Sequence, residues 1–159
     1  MEQTREPLVQ TNRQGMELAL AQARLALEEG EVPVGAIVVD EMGRILAQAH
    51  NVTGAQEDPM AHGELLALQK ALAGRGKARL AGCTLYVTLE PCPMCAGAIL
   101  NARVSRVYFG ARDREMGACG GGMNLFMEDF PHPPALVGGV LEAECAQVLS
   151  DFFRSVRKK

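Results

Sequence analysis

The sequence contains no tryptophan, and aromatic residues make up only 4% of its 159 residues. It also contains no apolar run close to the roughly 20 residues that a membrane-spanning helix requires. Its first residues are polar and lack the basic and then apolar layout of a signal peptide. We therefore expect no membrane association and a cytoplasmic location.

A strong charge of either sign is also absent, because the formal net charge is −3. No global positive field therefore attracts the chain to nucleic acid. Binding to a polyanion would need a local basic patch. Two such patches exist in the sequence: Arg103, Arg106, Arg112 and Arg114, and the C-terminal Arg154, Arg157, Lys158 and Lys159. Taken alone, each patch is more typical of a solvated surface than of a phosphate site.

A disulfide framework is not indicated either, because the five cysteines are an odd number. In a reducing compartment they are better interpreted as thiols or metal ligands. We expect Cys83, Cys119 and Cys145 to be small, partly buried hydrophobic residues. The remaining two cysteines, at positions 92 and 95, form the one closely spaced pair.

The pattern of apolar residues predicts alternating helices and strands in one domain covering residues 1–159. Helical spacing predicts four helices, at 12–29, 62–73 (ended by Gly74), 93–102 and 142–157. Compact β-branched or alternating runs predict five strands, at 34–39, 44–50, 84–89, 104–109 and 136–141. This order implies an α/β fold, with a mixed five-stranded sheet covered by helices on both faces.

The segment Glu90-Pro91-Cys92-Pro93-Met94-Cys95 carries the first chemical signal. Pro93 is well placed as the first residue of a helix. Two cysteines three positions apart at a helix start point the same way, and the helix dipole there favours thiolates. The pair is thus half of a zinc site.

The segment His62-Gly63-Glu64, at another predicted helix start, supplies a further ligand and a carboxylate. His62 with the two cysteines gives three protein ligands, which leave one zinc position open for water, as in catalytic sites. Glu64 is the nearby group that can take a proton from that water. Because residues two apart lie about 200° around a regular helix, both side chains can face one metal only if His62 sits in the irregular first turn.

Two other interpretations of these residues remain open at this point. A redox-active cysteine pair normally follows the first strand of a small βαβ unit, whereas this pair lies past mid-chain. A non-catalytic, zinc-stabilised binding module would need a fourth ligand and would leave Glu64 without a role. The residues available as that ligand are His50, His132, Cys83, Cys119 and Cys145.

Longer segments of the sequence resemble a known family over about residues 14–157. They are EVPVGAIVVD, AHN, DPMAHGELLAL, TLYVTLEPCPMCAGAIL, RVYFGARD and QVLSDFF. With the His-x-Glu and Pro-Cys-x-x-Cys signature, they are similar to the cytidine-deaminase-like superfamily, and within it to the tRNA-specific adenosine deaminases. The resemblance implies a three-layer fold, one zinc ion per subunit and a homodimer. It also implies that the substrate is the wobble adenosine of a tRNA anticodon, with an arginine tRNA bearing ACG as the expected partner.

The resemblance also implies roles for individual residues. His62, Cys92 and Cys95 would hold zinc while Glu64 shuttles protons, so that an activated water attacks C6 of the adenine. The residues that would bind the substrate are Asn51 and the backbone N–H of Gly63 at the base, Asp113 beside the flanking nucleotides, and Arg112 and Phe153 along the strand. Phe152 falls on the predicted apolar stripe of the last helix, so we expect it to pack in the core first.

Two positions depart from the family pattern. Gly63 stands where the family usually has alanine, and it costs up to roughly 1 kcal/mol in a regular helix. Pro131-His132-Pro133 stands where the family usually has Asn-His-Arg, whose Asn holds the substrate nucleotide. This second departure favours the alternative function, deamination of a free base or nucleoside such as guanine or cytosine.

Overall fold

The computed structural model describes residues 8–76 and 79–157. The helices are α1 (Asn12–Glu28), α2 (Gly63–Arg75), α3 (Pro93–Ala102) and α4 (Glu142–Arg157), with a short 3₁₀ turn at Leu125–Met127. The strands are β1 (Gly35–Val39), β2 (Ile45–His50), β3 (Thr84–Leu89), β4 (Arg106–Ala111) and β5 (Ala135–Val137). The described residues contain no helix that is both long and apolar enough to cross a bilayer.

The five strands form one mixed sheet in the order β2-β1-β3-β4-β5. β1 pairs antiparallel with β2 and β3, whereas β4 pairs parallel with β3 and β5. The carboxyl ends of β2, β3 and β4 therefore meet at one edge of the sheet. Asn51, Glu90 and Arg112 follow directly after these three strands. Ligands of α/β proteins bind at such an edge, so the topology alone places a site there.

Helices cover both faces of the sheet, as the sequence predicts. On β1, Ala36 and Val38 face a core shared with α2 and α3, while Ile37 and Val39 face a second core shared with α1 and α4. This alternation follows from the period of two in a strand. All five residues of β1 are buried because both faces are covered. The predicted three-layer α/β fold is confirmed; the single domain spanning residues 1–159 stays a prediction.

Three elements have an end that differs from the prediction by two residues or more. Helix α2 continues past Gly74, which is exposed, and ends where Gly76 adopts the left-handed conformation with φ 65°. The strand predicted at 104–109 begins only at Arg106. The strand predicted at 136–141 ends at Val137, and the backbone after it leaves the strand conformation, with a positive φ of 88° at Gly139 and of 51° at Leu141.

The five cysteines are free thiols, and Cys83, Cys119 and Cys145 are buried among apolar side chains. The prediction that these three are small hydrophobic core residues is thus confirmed. On α4, Cys145 and Val148 are buried as predicted, but Val156 at the same stripe is exposed. The helix extends beyond the sheet that covers its first turns.

Candidate active site

His62 lies just outside the regular part of helix α2, so its side chain and that of Glu64 can face the same metal ion. It is the N-cap residue, with an extended backbone at φ −76° and ψ 144°, and the regular helix begins at Gly63. Glu64 occupies the first turn and is buried, with 3% of its surface exposed. Both side chains line the same cavity. The irregular start of α2 is therefore what allows residues two apart to face one point.

The two cysteines take equivalent positions at the start of α3. Cys92 is the N-cap residue, Pro93 follows it in the first turn, and Cys95 is buried. The proline fixes the backbone for helix entry without losing a needed donor. Two helix starts, those of α2 and α3, thus converge on the site. The positive ends of their dipoles favour the anionic thiolates and the Glu64 carboxylate.

The donor atoms of His62, Cys92 and Cys95 fit a zinc ion. All three lie within 4.8 Å of one another. The Nδ1 atom of His62 is 3.6 Å from the Cys92 sulfur and 3.5 Å from the Cys95 sulfur. Bond lengths of about 2.1 Å to nitrogen and 2.3 Å to sulfur in a tetrahedral zinc site place these atoms about 3.6 Å apart. The chain therefore supplies a three-ligand zinc site.

The same geometry prepares the ligands for metal binding. A hydrogen bond from the Cys95 thiol lowers the pKa of Cys92 to about 4, and the histidine reinforces the effect. The reverse holds for Cys95, because its bond to Cys92 and its burial raise the pKa of that thiol. The hydrogen bond with Cys92 raises the pKa of His62. Without metal the three ligands thus share protons, and zinc binding would release them.

Glu64 has the properties of a group that exchanges protons near neutral pH. Burial raises the pKa of Glu64 to about 7, against the lowering effect of its own backbone N–H and of His62. Its carboxylate also hydrogen-bonds with the Cys95 thiol. A carboxyl group beside a metal-bound water with a pKa in this range suits general acid–base catalysis.

The alternative of a structural zinc site finds no fourth ligand among residues 8–76 and 79–157. The metal-binding group found there consists of His62, Cys92 and Cys95. His50 instead lies 2.9 Å from Glu29 and 3.1 Å from Gln22, and His132 is exposed. The open fourth position and the buried carboxylate beside it both favour the catalytic interpretation.

A cavity of about 520 Å³ is lined by His62, Glu64 and Cys92, while Cys95 is fully buried beside them. We call His62, Glu64, Cys92 and Cys95 the catalytic floor, and the segments 51–61 and 112–124 the loop walls. From the walls, Asn51, Thr53, Pro59, Asp113 and Met116 line the cavity. Further lining residues are Val32, Val34, Leu89, Glu90, Pro93 and Met94. The structure thus places Asn51 and Asp113 in the walls of this cavity, and their contacts with the substrate stay predictions.

Asn51 and Gly63 are joined to each other. The backbone N–H of Gly63 donates to Oδ1 of Asn51 at 2.6 Å, in a buried hydrogen bond. Because a backbone N–H can only donate, the amide oxygen of Asn51 is the acceptor and its Nδ2 group faces elsewhere. The N–H of Gly63, expected at the substrate, thus orients Asn51. Gly63 is also tightly packed, since a Cβ there would lie 3.0 Å from the Val34 carbonyl oxygen and 3.1 Å from Cα of His50.

Two predicted substrate residues lie outside the residues that line this cavity. Arg112 is exposed, pairs with Glu142 at 3.5 Å and lies 5.8 Å from the ring centre of Phe109. Phe153 is 47% exposed on α4 and packs edge-on against Phe152, which is partly buried. Their roles at the substrate stay predictions. Lys158 and Lys159 of the C-terminal patch lie outside the described residues.

The Pro131-His132-Pro133 segment is also separate from the cavity. Pro131 lines another cleft, of about 180 Å³, with Phe130, Asn101 and Arg103 near the end of α3. His132 has a positive φ of 60°, and all three residues are exposed. The departure from the family pattern thus falls outside the residues that line the cavity.

Glu90 is a site residue that the sequence reasoning missed. It lines the cavity and is 3% exposed. The available signal was a carboxylate directly after a largely buried strand and immediately before the Pro-Cys motif. A charged residue in that position is rarely buried without a specific set of partners.

Comparison with known proteins agrees with this site. Residues 9–111 match the cytidine and deoxycytidylate deaminase zinc-binding region. The tRNA-specific adenosine deaminase of Bacillus subtilis is 50% identical over 145 residues, which cover 91% of this chain and 89% of that protein. The chain belongs to the zinc-dependent deaminase family that includes the tRNA-specific adenosine deaminases. Zinc is accordingly its cofactor, and His62, Cys92 and Cys95 are positioned to bind it.

Solved structures of this deaminase family share the fold. A tRNA:A34 deaminase matches with a TM-score of 0.82 and 44% identity, covering 85% of this chain and 98% of that one. The guanine deaminase of Bacillus subtilis matches less well, with a TM-score of 0.63, 32% identity and 74% of each chain covered. The fold is thus shared by deaminases that are named for different substrates.

Proposed function

We propose that this protein is a tRNA adenosine deaminase, which hydrolyses the 6-amino group of the wobble adenosine of an anticodon to give inosine. The observation that carries the proposal is Glu64, a buried carboxylate beside three zinc ligands at the bottom of an open cavity. Relatives of the same length and about half-identical sequence are named for this reaction.

The catalytic floor supplies the chemistry. His62, Cys92 and Cys95 would hold a zinc ion, which would supply the activation of a water molecule as the nucleophile. Glu64 takes a proton from that water as its oxygen adds to C6 of the adenine, and transfers the proton to N1. Glu64 then takes the second proton of the water from the oxygen now bonded to C6 and delivers it to the 6-amino group. Ammonia leaves, and the carbonyl of inosine remains.

The loop walls orient the base. With Oδ1 of Asn51 occupied by Gly63, its Nδ2 group is the donor available to a ring nitrogen of the purine. The apolar side chains of Val32, Val34 and Leu89 line the cavity and suit the faces of a flat base. A target base has to leave its stack to reach this depth, and an anticodon loop already presents unstacked bases.

The residues at the opening of the cavity support an RNA substrate over a free base. Pro59, Met94 and Met116 line the cavity, and Pro59 and Met116 are exposed, so apolar surface extends outward past the space one base needs. Flanking nucleotides can stack on such groups, as they do in single-strand binding proteins. Asp113, Arg112 and Phe153 are the residues we assign to these neighbours.

Two finer points belong to this proposal. The expected partner is an arginine tRNA with an ACG anticodon, and the expected location is the cytoplasm.

The active form is a homodimer; the exposed Met123, Met127 and Phe130 give the chain an apolar surface suited to a subunit interface. Light scattering on the purified protein should give twice the chain mass, and Met127→Glu should lower it; a wild-type monomer would contradict the dimer.

The substrate is tested by comparing an ACG arginine tRNA with free adenosine, guanine and cytosine. Inosine at the wobble position, identified by nuclease digestion and mass spectrometry, is the expected product, and the same tRNA with guanosine at that position is the matched control. Ammonia released from a free base with no inosine in the tRNA would instead support the alternative, a free-base deaminase.

A further inference from the structure

Glu90 sits at the centre of one loop wall, although its side chain comes from the end of β3. Its Oε1 atom accepts the N–H of Asp113 at 3.2 Å. Its Oε2 atom accepts the N–H of Cys119 at 3.1 Å and that of Gly121 at 2.8 Å. Three backbone donors from one loop thus converge on one buried carboxylate.

The loop sequence is adapted to this carboxylate. The segment Gly117–Gly122 contains four glycines, at 117, 120, 121 and 122. A Cβ at Gly117 would overlap Oε2 of Glu90, and one at Gly121 would lie 2.7 Å from the same oxygen and overlap the Asp113 carbonyl oxygen. The N–H of Ala118 further bonds to the Pro91 carbonyl at 2.8 Å. The glycines let the backbone close around the anion.

These bonds use most of the hydrogen-bond acceptor capacity of Glu90. An ionised carboxylate accepts through about four lone-pair sites, and three backbone donors already occupy most of them. Among the ion pairs of residues 8–76 and 79–157, none includes Glu90. Its charge is therefore balanced by the amides of the loop, in the same way that backbone nests hold bound anions.

The loop held in this way carries side chains toward the substrate. Asp113 and Met116 line the cavity opposite Asn51. The Asp113 carboxylate is itself folded back, with Oδ1 accepting the N–H groups of Glu115 and Met116. The position of both side chains consequently depends on where Glu90 fixes the backbone at residue 113.

We infer that Glu90 is a positioning residue for substrate binding, which sets the 112–124 wall against the nucleotides beside the target base. The inference rests on the proposed function. Glu90 has no contact with the reacting atoms in this role. Its replacement should therefore weaken RNA binding and preserve the chemical step.

The test is Glu90→Gln, assayed on an anticodon stem-loop RNA with zinc content measured on the same samples. Glutamine keeps the size but turns one oxygen into a donor that faces backbone N–H groups. Leaving buried donors unpaired costs enough to shift the loop, and we expect KM to rise at least about tenfold. The value of kcat should stay within about threefold, since the floor is unchanged, with one zinc per chain.

Thr88→Val is the matched control, because it also removes a buried hydrogen bond from β3. The Thr88 hydroxyl accepts the N–H of Gly35 at 3.1 Å and does not line the cavity. This variant should lose thermal stability but keep the wild-type KM. Gly121→Ala perturbs the loop from the other side and should raise KM as Glu90→Gln does.

The inference is overturned if Glu90→Gln keeps the wild-type KM, if it loses zinc, or if it lowers kcat with KM unchanged. It is also overturned if both Glu90→Gln and Gly121→Ala fail to fold while Thr88→Val folds, because Glu90 would then be a folding determinant. Inactive wild-type protein on the stem-loop would instead count against the proposed function.

Discussion

The catalytic floor and the loop walls are built in different ways. The floor places its four side chains at the first residues of α2 and α3, where a cap and a helical turn fix each position. The walls have little regular structure, and buried carboxylates hold them. Glu31 accepts the N–H groups of Gly54 and Ala55 in one wall, as Glu90 does in the other.

Because of this difference, the floor can carry the chemistry while the walls bind the substrate. Deaminases that are named for different substrates share the fold, and hydrolysis at a purine or pyrimidine amine uses the same kind of zinc-activated water and proton shuttle. The walls can change by loop substitutions without disturbing the core. Variants of the floor should thus change kcat or the zinc content, whereas variants of the walls should change KM.

Loss of a zinc ligand should have the largest effect. In Cys95→Ala only two ligands remain, so zinc should be lost and activity should fall at least about a thousandfold. Metal analysis and inosine formation measured on the same sample test this. Cys83→Ala, at a buried thiol outside the floor, is the control and should keep its zinc. A Cys95→Ala protein with full zinc and activity would disprove the ligand assignment.

Asn51→Ala should come next, because it alters the contact between wall and floor. It removes the proposed donor to the base and leaves the buried N–H of Gly63 without its acceptor. A loss of about 1–3 kcal/mol is typical, so kcat/KM should fall roughly tenfold to a hundredfold. Steady-state kinetics on the stem-loop measure this, and unchanged kcat/KM would rule out the role of Asn51.

Phe153→Ala should affect RNA binding alone. The ring is 47% exposed on α4, so the free energy of unfolding should change little. Base stacking on an aromatic side chain contributes about 1–3 kcal/mol, which corresponds to a KM increase of about tenfold at an unchanged kcat. Val156→Ala, at another exposed position of α4, is the control. Equal KM values for both variants would remove Phe153 from the binding surface.

Gly63→Ala should have the smallest effect, because two contributions oppose each other. Alanine gains up to about 1 kcal/mol in helix propensity, but its Cβ would lie 3.0 Å from the Val34 carbonyl oxygen. We expect kcat/KM within about threefold of wild type and a small change in melting temperature. A larger loss of kcat would show that this chain needs glycine to align His62 with Glu64.

Most of the fold and the catalytic floor could be predicted from the sequence because they depend on local patterns. The strand and helix periods, the Cys-x-x-Cys spacing and the cap position of His62 are each set within a few residues. Strand ends near glycine were less predictable: β5 ends at Val137, and Gly139 adopts a positive φ of 88° soon after it, which the apolar pattern of 136–141 does not indicate. The role of Glu90 depends on amides 23 to 31 residues away, which no local pattern reveals.

The most direct test of this division is Glu64→Ala, measured for zinc content, RNA affinity and single-turnover inosine formation on one preparation. We expect the variant to keep one zinc per chain and a stem-loop affinity close to that of wild type. Inosine formation should be slower by at least about a thousandfold, because the proton shuttle is gone. Inosine formation near the wild-type rate would contradict the account, as would loss of zinc, since Glu64 would then belong to the ligand set.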